Sequence, residues 1–190
     1  KKIKNKRFDF IIAYGGGSTI DTAKAIKLFL ALKKNYTILN LIKNINSLKK
    51  KSTCKLIAIP TTSGTGSEVT CYSTVWDSIK RKKLSLNNYF LYPEYAIVDP
   101  ELTYGLALDD TINTGLDALN QAFESFWNKN SNVYTEKYAA KSIINGIEGL
   151  RKLSKDLNSK KSRLLMSKSS LYAGICISKT RTCICHSISY

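Results

Sequence analysis

The first pattern along the chain is a short, almost unbroken apolar run, Phe8-Asp9-Phe10-Ile11-Ile12-Ala13-Tyr14, which stops at Gly15-Gly16-Gly17. A run of that length closed by glycines predicts a strand buried on both faces. Ser18 follows where a helix N-cap belongs, and Asp21 stands three residues later in the place of a capping-box acid. Ile20, Ala23, Ile26 and Leu30 then recur at helical spacing over residues 19–33. The order is strand, glycine loop, helix.

Residues 35–52 are rich in Lys and Asn and read as a connecting segment. Leu56-Ile57-Ala58-Ile59 predicts a second buried strand ended by Pro60, followed by the hydroxyl-rich loop Thr61-Thr62-Ser63-Gly64-Thr65-Gly66-Ser67-Glu68. Residues 71–76 fit an exposed strand, with 84–86 as its hairpin partner across a basic turn. Tyr95-Ala96-Ile97-Val98 predicts a third short buried strand, closed by Asp99-Pro100. From Asp109 the apolar period becomes helical. Ile112, Leu116, Leu119, Phe123 and Trp127 mark one helix, started by Asp109 or Asp110. Thr135 caps a second that runs to about residue 155, and residues 160–177 form a third with Leu164, Leu165, Leu171 and Ile175 inward. The expected layout is an α/β part over 1–104 and an all-α part over 105–190.

Composition narrows the class without naming it. The chain has 190 residues, 43% hydrophobic and 23% charged, with only 3 Pro, which excludes a disordered, collagen-like or disulfide-stapled polypeptide. No apolar run reaches the roughly 18 residues of a membrane span, and no signal segment opens the sequence. Five cysteines are an odd number in a chain large enough to need no staples, so reduced thiols and a cytoplasmic location are expected. The formal charge of +16 invites a nucleic-acid partner. The Lys-rich runs, however, come with no aromatic single-strand platform and no recognition-helix pattern, so solvated faces are the expected reading. The sequence opens Lys-Lys-Ile and its only Met is Met166, which suggests an internal fragment, inactive and poorly soluble by itself.

Candidate chemistry gathers at four places. Gly15-Gly16-Gly17-Ser18 lies between strand and helix, where glycines let a backbone approach a phosphate and free N–H groups receive it. A plain tight turn is the competing reading. The loop at 61–68 sits at the carboxyl end of a strand, the edge where open α/β sheets bind ligands. Asp117 and Gln121 share one helix face. On spacing alone Asp117 is a metal ligand, a member of a buried ion pair, or an exposed residue. His186, the only histidine, is flanked by Cys183 and Cys185, which is either a zinc-like cluster or an ordinary satisfied histidine.

Taken in order, Ile11 to Lys24, Pro60 to Glu68, Tyr95 to Pro100 and Gly115-Leu116-Asp117-Ala118-Leu119 resemble the motifs of the iron-containing (group III) alcohol dehydrogenases. The resemblance implies an incomplete Rossmann-like parallel sheet, a partial dinucleotide-binding domain, followed by an incomplete helical domain for metal and substrate. It implies that Gly16, Gly17, Ser18 and Asp21 hold the pyrophosphate of NAD or NADP, that Thr61, Thr62, Thr65 and Ser67 line the nucleotide cleft, and that Lys83 is the lysine of the basic hairpin. Asp117 and His186 are the implied ligands of Fe²⁺ or Zn²⁺, with Gln121 where the family places a histidine; a further histidine is expected beyond residue 190. The stretch from Asp117 to Trp127 is similar to the phosphonoacetaldehyde reductase branch, whereas Arg181 to Cys185 departs from it. The implied activity is metal-dependent, NAD(P)-linked interconversion of an aldehyde and a primary alcohol in a full-length homo-oligomer, with phosphonoacetaldehyde the substrate of the similar branch and no nucleic-acid or membrane partner. A nucleotide-binding remnant without metal or activity is the alternative.

Overall fold

In a computed structural model, residues 7–31, 45, 54–77 and 81–188 are described. Their elements are β1 (Phe10–Gly15), α1 (Gly17–Ala31), β2 (Lys55–Pro60), β3 (Tyr72–Asp77), β4 (Lys82–Asn87), β5 (Tyr95–Ala96), α2 (Leu108–Phe126), α3 (Val133–Leu153), α4 (Lys160–Thr180) and α5 (Ile184–Ile188). A parallel sheet in the order β1-β2-β5 is followed by an all-α bundle. Most of the expected connecting segment at 35–52 lies outside the described residues.

Parallel strands place β1 beside β2 in a register that runs from Phe10↔Lys55 to Gly15↔Pro60. The face bearing Ala13, Leu56 and Ala58 packs on Ile20 and Ala23 of α1, with Ile11 at its edge. The other face is not buried as the apolar runs predict. Ile12 and Tyr14 are 65% and 60% exposed, and Tyr95 and Ile97 are exposed beside them. The reason is one-sided covering, since α1 is the helix that packs on this sheet among the described residues.

The start of α1 also differs from expectation. The chain turns at Gly15, whose φ is +152°, so the helix begins at Gly17 and Ser18 lies inside its first turn instead of capping it. Ser18 offers its carbonyl to the Thr22 hydroxyl at 2.8 Å. The helix carries two buried lysines on its inner side. Lys27 reaches the Tyr92 carbonyl and the Glu94 carboxylate at 2.8 Å, while Glu94 also accepts from the Leu56 N–H at 2.7 Å. That ion pair therefore ties α1 to the middle strand. The hairpin β3–β4 pairs as expected, from Tyr72↔Asn87 to Asp77↔Lys82. Its Leu86 joins Ala25, Leu28, Ile45 and Leu91 in a second apolar cluster against α1.

In the helical part, Asn132 caps α3 and Thr135 is its third residue, closing a capping box, so Thr135 caps by reciprocity and not as the first residue. The buried faces are small and partly polar. They comprise Gly115, Ala118, Ala122 and Ser125 on α2, Ala139, Ser142 and Gly146 on α3, and Ser169, Ser170 and Ala173 on α4. Leu116 and Leu164, expected inward, are 53% and 41% exposed. Ser142 and Ser169 instead exchange hydroxyl-to-carbonyl hydrogen bonds at 2.7 and 2.8 Å in a fully buried seam. Ser169→Val adds volume to this seam and orphans its polar atoms. The expected loss is about 2–3 kcal/mol, read from the urea midpoint at unchanged slope. No described helix is long and apolar enough to cross a membrane, and no disulfide forms among the described residues.

Candidate functional site

The carboxyl ends of β1 and β2 bring the two loops together. The Thr61 N–H donates to the Gly15 carbonyl at 3.1 Å, extending the ladder into the turn. A Cβ built on Gly16 would touch the Thr62 side chain at 3.4 Å, and one on Gly17 would lie 2.5 Å from the Thr65 hydroxyl oxygen. Thr65 thus sits directly over the first turn of α1, at a distance only a residue without Cβ permits. The Gly16 carbonyl accepts from Thr19 and Ile20. The N–H groups of Gly17 and Ser18 are the helix-start donors that have no intrahelical partner. An anion seated there would also meet the positive end of the helix.

Beneath this mouth, Asp21 joins three elements. Its Oδ1 accepts from the Ser67 hydroxyl at 2.6 Å and its Oδ2 from the Thr74 N–H at 2.8 Å. Lys24, fully buried, donates to Ser67 Oγ at 2.8 Å, Thr70 Oγ1 at 3.2 Å and the Tyr72 carbonyl at 2.7 Å. Burial pulls the Lys24 pKa down to about 8, against the attraction of Asp21 and Glu68. Glu68 is buried next to this cluster, and loss of solvent pushes its carboxyl up despite its own N–H and Lys24. Lys83 lies on β4 opposite Trp76, with its side chain exposed.

The 61–68 loop continues to the helical part. A Cβ on Gly64 would meet Thr114 at 2.8 Å, and Ser63 Oγ lies 3.2 Å from Ser167 Oγ. Thr114 is one helical turn before Asp117 on α2. Asp117 Oδ2 accepts from Gln121 Nε2 at 3.0 Å, and its Oδ1 is 3.4 Å from His186 Nε2. Gln121 is buried, and its Oε1 has no hydrogen-bond partner among the described residues. The hydrogen bond to Asp117 raises the His186 pKa, burial opposes it, and Glu124 raises it further. Asp117, Gln121 and His186 thus converge from α2 and α5. They supply a carboxylate, an amide and an imidazole, and among the described residues no group of three or more His, Cys, Asp or Glu is assembled that could hold a metal ion. Of the cysteines beside His186, Cys185 is exposed and Cys183 accepts from Asn128 Nδ2 at 2.9 Å.

Sequence reasoning missed Glu124 as a partner of His186. The signal was present, because 117, 121 and 124 follow one helix face. It also passed over the depth of Lys24, which spacing alone does not reveal.

Residues 1–100 match the family model described as iron-containing alcohol dehydrogenase, and residues 111–190 match that described as Fe-containing alcohol dehydrogenase family, C-terminal. The NAD-dependent methanol dehydrogenase of Bacillus methanolicus is 35% identical over 98% of this chain and 48% of its own length. The phosphonoacetaldehyde reductase of Streptomyces viridochromogenes is 29% identical over 100% of this chain and 49% of its own. Among solved structures, the sulfoacetaldehyde reductase of Bifidobacterium kashiwanohense, in complex with NAD⁺, superposes with a TM-score of 0.86 at 32% identity, covering 95% of this chain and 47% of that one. The chain spans about half the length of the curated relatives it matches first. These similar relatives act on different aldehydes and alcohols by name, and no single branch stands out.

Proposed function

Because the chain belongs to the iron-containing alcohol dehydrogenase family, we propose that it supplies the nucleotide cleft and part of the metal site of an NAD(P)-linked oxidoreductase that interconverts an aldehyde and a primary alcohol. The observation that carries this reading is the path of one loop. It packs on Gly17 at one end and on Thr114, a turn from Asp117, at the other. The anion mouth and the Asp117–Gln121–His186 cluster are therefore neighbours.

Gly16, Gly17 and Ser18 receive the cofactor pyrophosphate, and Asp21 holds their helix in place through Ser67. Thr61, Thr62 and Thr65 line the nucleotide, Ser67 supports them from below between Asp21 and Lys24, and Lys83 of the hairpin is a further cofactor contact. Asp117 and His186 would hold Fe²⁺ or Zn²⁺, with the orphaned Gln121 oxygen as a third donor among the described residues. When bound, the metal supplies Lewis acidity at the substrate oxygen and the nicotinamide supplies the hydride. The neutral amide is a weaker donor than imidazole. Gln121→His is accordingly expected to tighten Zn²⁺ binding by roughly tenfold, measured by competition with a chromogenic chelator.

Gly17→Ala is expected to keep the fold and weaken NADH binding by about tenfold, because the new methyl pushes Thr65 off the helix start. A fluorescence titration of NADH into the native and Gly17→Ala chains measures the difference. An unchanged affinity in Gly17→Ala removes the helix start from the cofactor site.

For the substrate we propose phosphonoacetaldehyde, reduced to 2-hydroxyethylphosphonate. Support comes from the reductase relative and from a surface cavity of about 770 Å³ that carries Lys129, Lys179 and Arg181 beside Cys183. The test is NADH and NADPH oxidation by the full-length protein with phosphonoacetaldehyde and with acetaldehyde, with and without Fe²⁺ or Zn²⁺. Metal-dependent turnover favouring the phosphonate supports this substrate. Preference for acetaldehyde keeps the activity and rejects it. Cofactor binding without turnover under any metal identifies a non-catalytic remnant. Cytoplasmic location and a homo-oligomeric full-length protein complete the proposal.

A further inference from the structure

Glu124 stands outside the proposed donor set, yet it is more deeply enclosed than any member of it. Its side chain is fully buried on α2, one turn beyond Gln121. Oε2 accepts from the Cys183 N–H at 2.7 Å and lies 2.7 Å from His186 Nδ1, while Oε1 accepts from the His186 N–H at 3.2 Å. One carboxylate therefore gathers both backbone and ring of the segment that bears the only histidine.

The chemistry of these contacts dictates where the imidazole proton sits. Both oxygens of Glu124 accept backbone N–H groups, Oε2 from Cys183 and Oε1 from His186, so the group is placed as a hydrogen-bond acceptor at each end. An ionised carboxylate only accepts hydrogen bonds. In the neutral ring the single proton therefore sits on the nitrogen with the shorter carboxylate contact, Nδ1 at 2.7 Å, and Nε2 carries a proton toward Asp117 only when the ring is charged. Asn120 Nδ2 also lies 3.3 Å from Nδ1, and the shorter, charge-assisted contact to Glu124 prevails. Nε2 then points at Asp117 Oδ1, 3.4 Å away.

We infer that Glu124 is the positioning residue of the site, fixing His186 in the Nδ1–H tautomer and presenting Nε2 to a divalent cation shared with Asp117 and Gln121. The cation part rests on the proposed metal reading; the tautomer part does not. Partners of this kind orient metal-bound histidines and raise their basicity.

Because the chain has a single histidine, ¹⁵N-histidine labelling yields one imidazole spectrum. At alkaline pH, where the ring is neutral, the native chain is expected to show its proton on Nδ1. Glu124→Gln, close in shape, is expected to redistribute the tautomers and weaken Zn²⁺ binding roughly 10- to 100-fold. Glu124→Asp, which keeps a carboxylate, is expected to recover part of both, and circular dichroism checks that each variant is folded. A native Nε2–H ring overturns the inference without recourse to any variant, and so does native-like Zn²⁺ affinity in folded Glu124→Gln. Should the native chain bind no Zn²⁺ while its ring responds to Glu124→Gln as described, the positioning stands and the metal reading fails.

Discussion

Gly66→Ala is expected to destabilise the chain by roughly 3 kcal/mol, more than any other single added methyl on the 61–68 loop. Gly66 has φ +60°, a conformation that costs a residue with Cβ about 1–2 kcal/mol. Its new methyl would also fall 2.4 Å from Gly174 Cα and 3.2 Å from the Ser170 carbonyl. Those atoms are backbone of α4 and cannot swing aside. The overpacking adds about 1–3 kcal/mol and forces the loop away from the bundle, so that the Thr114 contact is lost as well. Gly105→Ala is the matched control, since a Cβ there meets nothing within 4 Å. Urea unfolding of the two variants measures the difference, with limited proteolysis reporting a loosened loop in Gly66→Ala alone.

Asp21→Ala is the second large expected effect, again about 3 kcal/mol. It removes the acceptor of the Ser67 hydroxyl and the Thr74 N–H, and it leaves the buried Lys24 ammonium without its nearest carboxylate at 3.6 Å. Asp21 is partly open to solvent, so water that enters keeps the loss at the lower end for a broken pair. The pH dependence of the native chain carries the same signature. Lys24 titrates near 8 when folded and near 10.5 when unfolded. Between those values the unfolded chain binds the extra proton, so the Lys24 contribution to stability rises with pH through that window. Lys24→Met removes this rise, and comparison of urea midpoints across the window shows it. In Asp21→Ala, loss of the carboxylate lowers the folded pKa further and widens the window toward lower pH.

The features that were legible in the sequence are those with local signatures. Gly15-Gly16-Gly17 between an apolar run and a helical stripe, and the hydroxyl loop after Ile59, marked the two strand ends that the sheet brings side by side. The β3–β4 hairpin and three long helices also followed from pattern alone. The helix faces were not legible, because the bundle is packed through Gly, Ala and Ser. Large side chains such as Leu116, Phe123 and Trp127 carry the hydrophobic signal, yet they lie at the surface, the latter two stacked with ring centres 6.0 Å apart. A close helix approach needs small residues, and small residues leave almost no hydrophobic trace. Strand burial failed for a different reason. An apolar run predicts a strand covered on both faces, while among the described residues α1 covers only one of them. At the site, Asp117 and Gln121 were readable from helical spacing, and Glu124 lay on the same face. Its pairing with His186 depends on how α5 folds back across α2, a contact between residues 62 positions apart that no local pattern encodes.

The most direct test of the account is a Co²⁺ titration of the chain followed by visible absorption, in the native form and in Asp117→Ala. The account predicts a single saturable site whose spectrum disappears in Asp117→Ala while NADH fluorescence binding persists. A native chain that binds no Co²⁺, or an Asp117→Ala chain that binds it as well as the native one, would contradict the metal site on which the proposed chemistry depends.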